Sequence, residues 1–247
     1  MIGSAILGAI VGSFLGAALE RLPHGRSIVT GRSACDGCGK ALTVVELVPV
    51  LSWLVQRGKC RTCGSRIGAW QLACELGGAL VGMISMLLGR EGLALAGMLL
   101  GWQLLLLALL DLRHLWLPRM LVGWLGASGL LVAFARARVT DDAAVLGIAI
   151  VGGLVGYLAL WLIARFYLKA RGREGMGSGD PPLLGAIGLW LGPLGVVETM
   201  LGGSILGIAA AIVMLVSKRK IDADTALPLG TCLAATAWPI FLLQGLG

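Results

Sequence analysis

Long apolar runs separated by short polar segments follow one another along almost the entire chain of 247 residues. A run of about 20 apolar residues is long enough to cross a lipid bilayer as an α-helix. The pattern predicts eight spans: 2–19, 70–88, 93–111, 117–134, 144–167, 181–192, 195–217 and 227–245. The sixth is short for a full crossing, so we expect it to be tilted or broken. The sequence therefore predicts an all-α polytopic membrane protein with about eight transmembrane helices.

Composition supports this fold class and excludes a soluble globular domain. Hydrophobic residues make up 57% of the chain and charged residues only 13%. The 39 glycines favour close approach between transmembrane helices. The first apolar run has no basic residue before it, so we expect a retained helix rather than a signal peptide. The predicted domains are a first transmembrane helix (1–19), a polar loop domain (20–69) and a transmembrane bundle (70–247).

The basic residues predict the orientation of the bundle. If the N-terminus faces outward, the inner loops contain 17 of the 20 Lys and Arg residues: 20–69, 112–119, 165–180 and 218–226. The positive-inside rule then places these loops in the cytoplasm. Contact with anionic membrane lipid explains the net charge of +7 better than nucleic acid does, because the chain has so little soluble surface.

The polar loop contains two Cys-x2-Cys pairs that predict a metal site, formed by Cys35, Cys38, Cys60 and Cys63. Each pair can hold a metal through a tight turn, and four thiolates complete the tetrahedral shell of a structural Zn²⁺. Two disulfides or unrelated thiols are the alternatives, although a reducing cytoplasmic loop disfavours disulfides. The loop is too small for a sizeable core, so we expect metal binding to supply much of its folding energy.

Two carboxylates border the apolar spans, where a charged group is costly and therefore a candidate functional residue. Asp180 follows a glycine-rich run and precedes Pro181, so a helix-capping role is the alternative for it. Asp111 ends an apolar run, where a carboxylate opposes the helix dipole. Its alternative is an ion pair with Arg113 or Arg119.

The two aspartates together predict acid–base chemistry. Carboxylates that share one site do not both ionise easily, so one holds a proton while the other activates water. From the helix ends we expect Asp180 to be the base and Asp111 the acid. A proton or cation relay in a small transporter is the alternative from another class, and it predicts carboxylates near the bilayer midplane.

Several ordered motifs closely resemble those of the bacterial prepilin peptidases, also called type IV leader peptidases. The matching segments are Gly-Ser-Phe-Leu at 12–15, Arg-Leu-Pro at 21–23, Arg-Ser-x-Cys-x-x-Cys at 32–38, Glu-Leu-Val-Pro-Val-Leu-Ser-Trp-Leu at 46–54, Arg-Gly-Lys-Cys at 57–60, Leu-Pro at 117–118, Glu-Gly-Met-Gly-Ser-Gly-Asp at 174–180, Leu-Leu at 183–184 and Leu-Pro-Leu-Gly at 227–230. Asp111 and Leu117-Pro118 resemble the first catalytic motif of the family. The glycine-rich run that ends at Asp180 resembles the second.

The resemblance implies a membrane aspartic endopeptidase of the GxGD type, located in the bacterial inner membrane with its active site facing the cytoplasm. Such enzymes remove the short basic leader from type IV prepilins or type II secretion pseudopilins. Many then N-methylate the new terminus with S-adenosylmethionine. The resemblance assigns catalysis to Asp111 and Asp180, zinc binding to the four loop cysteines, and methyl transfer to Gly58 and Lys59. A turn glycine and a solvated lysine are the alternative for the last two.

Two departures from the family pattern lie beside the aspartates. Arg119 follows the proline of the first motif in place of Asp or Asn, and Pro182 replaces the lysine that usually follows the second aspartate. A peptidase without methyltransferase activity and a catalytically inactive scaffold of a secretion machine are therefore further alternatives. For Glu75 we expect hydrogen bonding within the bundle, and for His114 a solvated loop position. The oligomeric state is not determined by the sequence.

Overall fold

The computed structural model describes residues 1–28, 33–35, 37–89, 92–173, 175–216 and 227–244. These residues form eight α-helices: α1 (Ile2–Arg21), α2 (Leu51–Val55), α3 (Ala69–Leu88), α4 (Leu93–His114), α5 (Arg119–Thr140), α6 (Ala144–Arg171), α7 (Asp180–Val216) and α8 (Leu229–Gln244). Short 3₁₀ turns follow α1 at Leu22–His24 and precede α2 at Val45–Leu47. The all-α prediction is confirmed.

Six of these helices are long and apolar enough to cross a membrane, and α8 is a shorter apolar helix. Helices suit a bilayer because every backbone polar group away from the ends is satisfied within the segment. The lipid-compatible surface is visible in exposed apolar side chains such as Leu95, Phe166 and Ile205. A multi-pass membrane protein is therefore the architecture of this chain.

The sixth and seventh predicted spans are the two arms of α7. Gly192, with φ 70° and ψ −179°, interrupts the helical backbone, and Pro193 follows it. Glycine tolerates this left-handed φ, and proline cannot donate the hydrogen bond that an unbroken helix would require. The sixth and seventh predicted spans are therefore two helices that meet at Gly192, and α7 denotes both of them.

Contacts divide the chain into two units, Met1–Leu106 and Leu107–Gly247. In the first unit, α1 lies close against α3. A side chain at Gly8 would collide with the carbonyl of Gly78, and one at Gly12 would lie 2.7 Å from the Cα of Glu75. Small residues thus allow the two backbones to touch, as the glycine content predicted.

A hydrogen-bonded chain secures the polar loop to these helices within the first unit. The amide of Gln71 on α3 donates to the carbonyl of Ser13 at 3.2 Å and to the carboxylate of Glu75 at 2.9 Å. Glu75 in turn accepts from the backbone N–H of Val50 at 2.7 Å. Val50 has φ 62°, which is a strained value for a β-branched residue. The expected hydrogen bonding of Glu75 is confirmed, and one of its partners is the turn before α2.

In the second unit, α6 and α7 also meet through glycines. A side chain at Gly152 would collide with the carbonyl of Gly188, and one at Gly156 with the carbonyl of Leu184. Trp190 on α7 donates from Nε1 to the carbonyl of Leu125 on α5 at 2.9 Å, and its ring packs edge-on against Phe241 of α8 at 5.6 Å. The first arm of α7 is therefore fixed on three sides, and Asp180 lies at its start.

Candidate active site and metal centre

The four loop cysteines converge on one point in the first unit. The Sγ atoms of Cys35, Cys38, Cys60 and Cys63 all lie within 4.8 Å of one another. The Sγ atoms of Cys35 and Cys63 are 3.7 Å apart. Four sulfurs at ~2.3 Å from a tetrahedral zinc ion would be ~3.8 Å apart. The arrangement can therefore hold one metal ion and is consistent with zinc.

The two cysteine pairs have the same local fold. In each pair, the N–H of the first cysteine donates to the carbonyl five residues later, at 2.9 Å for Cys35 and 2.8 Å for Cys60. A glycine follows the second cysteine with φ 71°, at Gly39 and at Gly64. An isolated antiparallel bridge closes each turn. The tight turns expected of a metal-binding Cys-x2-Cys pair are present twice.

Ser65 prepares two of these thiols for coordination. Its hydroxyl oxygen lies 3.4 Å from Cys35 Sγ and 3.2 Å from Cys63 Sγ. This hydrogen bonding lowers the pKa of the Cys35 thiol to about 6, and it lowers the pKa of the Cys63 thiol as well. Because the thiolate is the form that binds metal, these shifts favour coordination at neutral pH.

Gly58 and Lys59, the predicted methyl-transfer residues, have different surroundings. Gly58 is buried with φ 66°, and a side chain there would lie 2.9 Å from the ring of Trp53. The ring of Trp53 thus packs against Gly58 on the side where a side chain would point. Lys59 is exposed, and its backbone forms the bridge to Arg66 that closes the second cysteine turn.

Asp111 lies in the last turn of α4, with its side chain aimed at the start of α8. Its Oδ2 accepts from the backbone N–H of Thr231 at 2.7 Å, and Gly230 also offers its backbone N–H. The hydroxyl of Thr231 lies 3.1 Å from the same oxygen and 2.9 Å from the carbonyl of Ala108. A hydroxyl has one proton to donate and also accepts. Thr231 can therefore donate to an ionised Asp111, or donate to Ala108 while accepting from a protonated Asp111.

Asp180 is the first residue of α7, as its position before Pro181 predicted. It is only 5% exposed, and the backbone of Gly177 hydrogen-bonds to it. The glycine-rich run before it is needed for close approach. Side chains at Gly175, Gly177 and Gly179 would meet, respectively, the ring of Tyr167, the carboxylate of Asp180 and the side chain of Leu117.

Both aspartates belong to one buried neighbourhood of the second unit. A Cβ at Gly230 would lie 3.0 Å from Oδ2 of Asp111 and 2.9 Å from Leu117, and a Cβ at Gly179 would lie 2.7 Å from Leu117. Leu117 thus lies close to Gly179, which precedes Asp180, and to Gly230, which lies next to Asp111. Asp111 is near enough for its charge to act on Asp180. Like Asp180, it is 5% exposed, so the two groups can interact with little screening by water.

The second unit also changes three sequence-based expectations. Asp111 lies at the negative end of the α4 dipole. The positive N-terminus of α8 also faces Asp111 and offsets the unfavourable effect of the α4 dipole on its carboxylate. Both carboxylates therefore lie at a helix N-terminus, and the helix ends no longer distinguish the acid from the base. Among the described residues, the hydrogen-bond donors to Asp111 are Gly230 and Thr231 rather than Arg113 or Arg119.

The expected loop position of His114 is wrong. His114 is the last residue of α4, and its Nε2 atom is buried without a hydrogen-bond partner among the described residues. Sequence reasoning also missed Thr231. Its only sequence signal is its place directly after the Leu-Pro-Leu-Gly segment that begins α8. Two residues of the quoted motifs, Arg32 and Glu174, lie outside the described residues.

Two family models match most of the chain. Residues 6–88 match the bacterial peptidase A24 N-terminal domain, and residues 98–212 match the type IV leader peptidase family. The first match contains the four cysteines, and the second contains both aspartates. No solved structure matches the chain.

Individual relatives agree with the family models. The chain is 36% identical over 224 residues to a prepilin leader peptidase/N-methyltransferase of Aeromonas hydrophila, covering 89% of this chain and 73% of the relative. It is 34% identical over 273 residues to the protein of the same name from Pseudomonas aeruginosa, covering 97% and 89%. A type 4 prepilin-like proteins leader peptide-processing enzyme of Escherichia coli is 32% identical over 259 residues, covering 97% and 92%. This chain belongs to the type IV leader peptidase family.

Proposed function

We propose that this protein is a membrane aspartic endopeptidase that removes the short basic leader from prepilins or pseudopilins, with Asp111 and Asp180 as its catalytic pair. The observation that supports this most strongly is the burial of both carboxylates around Leu117, where α4 ends and where α7 and α8 begin. Helix ends suit a peptide bond near the membrane surface. A transporter relay would instead need carboxylates near the middle of the helices.

The pair performs peptide hydrolysis by moving two protons. The ionised carboxylate takes a proton from a water molecule, whose oxygen attacks the scissile carbonyl carbon, while the protonated carboxyl group donates to the carbonyl oxygen. Proton transfer to the amide nitrogen then breaks the C–N bond. The products are a leader with a new carboxylate and a mature protein with a new amino terminus. Thr231 accommodates Asp111 with or without its proton, as this cycle requires.

The charge distribution supports a cytoplasmic site in the inner membrane. The loops predicted to lie inside carry most of the Lys and Arg residues, and the ends of α4 and α6 and the start of α5 belong to these loops. A basic leader would then remain in the cytoplasm. The apolar helix of the substrate would reach the enzyme from within the bilayer.

The cysteine centre has a structural role in this proposal. Zinc bound by its four thiolates would stabilise the loop domain, which we propose to span residues 20–69, between the first helix and the bundle of 70–247. The names of the relatives support a second activity, N-methylation of the new terminus with S-adenosylmethionine. Of the two residues predicted for it, Lys59 is exposed and Gly58 is buried beside the ring of Trp53.

Cleavage of a pseudopilin precursor by the purified protein in detergent tests the proposed function. We expect mass spectrometry to detect loss of the leader with the wild-type protein, and no loss with Asp111→Asn or Asp180→Asn. A wild-type protein that cleaves no precursor would support the inactive scaffold instead. Labelled S-adenosylmethionine in the same reaction tests methyl transfer, which requires label on the new terminus.

A further inference from the structure

A groove of about 570 Å³ opens among α5, α6 and α7 in the second unit. Its size is within the usual range for ligand sites. The walls are almost entirely apolar, and glycines from all three helices widen it: Gly123, Gly126, Gly153 and Gly185. Neither the zinc site nor the chemistry of the aspartates accounts for this space.

One end of the groove reaches the aspartates. Gly179, which directly precedes Asp180, and Leu117, which contacts the surroundings of both carboxylates, also line the groove. A polypeptide segment seated along α5 and α7 would therefore leave the groove beside Asp180. Gly179 and Leu117 therefore connect this end of the groove to the surroundings of the aspartates.

The charge at this end of the groove determines which kind of polypeptide segment can bind there. Arg119 is the one charged residue among those that line the groove, and it is the first residue of α5. The positive end of the α5 dipole adds to its charge. A basic segment is therefore disfavoured here, whereas an apolar segment can bury its side chains between the three helices.

We propose that this groove binds the apolar segment that follows the scissile bond of the substrate, while the basic leader lies on the other side of the aspartates. This inference rests on the proposed function and gives it a substrate-binding surface. An apolar helix leaving the bilayer between α5 and α6 would place its first residues beside Gly179. Membrane lipid is the alternative occupant, and filling the groove would then leave substrate binding unchanged.

Gly123 offers a direct way to fill the groove. A Cβ at Gly123 meets no atom within 4 Å. Gly123→Leu therefore adds a side chain at the groove wall without colliding with neighbouring protein atoms. Ile150→Trp fills it from the wall formed by α6. Gly147→Leu is the matched control, since a Cβ there also meets no atom within 4 Å and Gly147 does not line the groove.

The experiment measures two quantities for each variant, using a fluorescently labelled pseudopilin precursor in detergent. The first is the dissociation constant of the precursor for each variant in an Asp180→Asn background, which does not depend on cleavage. The second is kcat and KM for cleavage in the otherwise wild-type protein. We expect both filling variants to raise Kd and KM at least about tenfold, with kcat little changed and Gly147→Leu like wild type.

The outcomes separate the groove from the proposed function. Filling variants that bind the precursor as tightly as Gly147→Leu would overturn the groove proposal, whatever their activity. If the filling variants weaken binding but the wild-type protein cleaves nothing, the groove stands and the proposed function fails. A loss of kcat with unchanged Kd and KM would also overturn the groove, because the substitutions would then act on the aspartates.

Discussion

At the scale of single residues, the environment of the two aspartates is more informative than their identity. Asp111 faces the first N–H groups of α8, and Asp180 begins α7. Two helix N-termini thus converge on a buried pair of carboxylates, which lets one negative charge be stabilised there at little cost. Thr231 adds a hydroxyl that both donates and accepts.

Thr231 is expected to position Asp111 for proton transfer. Thr231→Val keeps the backbone N–H and the shape of the side chain but removes the hydroxyl, and a hydrogen bond to a charged group contributes about 1.5–3 kcal/mol. We expect kcat to fall about 10- to 100-fold with little change in KM, and Thr231→Ser to restore most of the activity. Steady-state cleavage of a precursor measures both constants.

Thr236 provides a control on the same helix. Its hydroxyl also hydrogen-bonds to backbone carbonyls, including that of Cys232 at 3.0 Å. Thr236→Val therefore removes a comparable hydroxyl from α8 away from Asp111. Equal losses of kcat in Thr231→Val and Thr236→Val would contradict the positioning role, since a general weakening of α8 would explain both.

At the scale of helices, glycines determine how closely α6 and α7 approach. Gly152→Ala would place a methyl group against the carbonyl of Gly188 and 2.6 Å from the Cα of Gly192, at the kink of α7. We expect a loss of about 1–3 kcal/mol of stability from this overpacking. Thermal unfolding in detergent measures the change.

Gly147→Ala distinguishes packing from helix propensity. Gly147 lies on the same helix with open space around it, and alanine favours a helix over glycine by about 1 kcal/mol. We therefore expect this variant to be neutral or slightly more stable than wild type. If Gly152→Ala is equally well tolerated, then α6 and α7 do not meet as described.

The paired cysteine turns predict a stoichiometric metal. Freshly purified, reduced protein should contain about one zinc ion per chain, and Cys60→Ser should lose most of it, because a closed structural site needs all four ligands. Elemental analysis by mass spectrometry measures the content. Cys74→Ala, a change at a buried thiol within α3, should leave it unchanged. A wild-type protein without zinc would contradict this expectation.

At the scale of the whole molecule, the apolar pattern was enough to predict the helical class and the approximate place of each long apolar helix. It did not predict the five-residue α2 in the polar loop. The two spans on either side of Gly192 were correctly predicted as separate helices, because the backbone is not helical at that residue. The Cys-x2-Cys spacing was enough to predict the cluster of four cysteines that could hold a metal ion, because its turns are local. The motifs also identified the two aspartates.

Features that depend on distant contacts were not accessible from the sequence. Thr231 is 120 residues from Asp111, so no local pattern connects them. The acid and base assignment stays a prediction, and it considered only the helix that carries each aspartate. The groove likewise depends on which glycine faces of α5, α6 and α7 meet, and a sequence pattern does not specify that packing.

Orientation in the membrane is a prediction for the whole chain. Reporter fusions should place the α5–α6 connection, after Asp142, outside, and the segment after Arg173 inside, because the basic loops remain in the cytoplasm. Alkaline phosphatase should thus be active when fused after Asp142 and inactive after Arg173. A fluorescent protein should give the opposite result. Active phosphatase at Arg173 would contradict the predicted orientation.

The most direct test of the central claim asks whether Asp111 and Asp180 act as one unit. The kcat for precursor cleavage is measured for Asp111→Asn, Asp180→Asn and the double variant, with zinc content as a check on folding. Groups that share one proton transfer are strongly non-additive, so each single variant and the double variant should lose activity by a similar factor, about 10³-fold or more. Substantial cleavage by either single variant, or losses that multiply in the double variant, would contradict a shared catalytic pair.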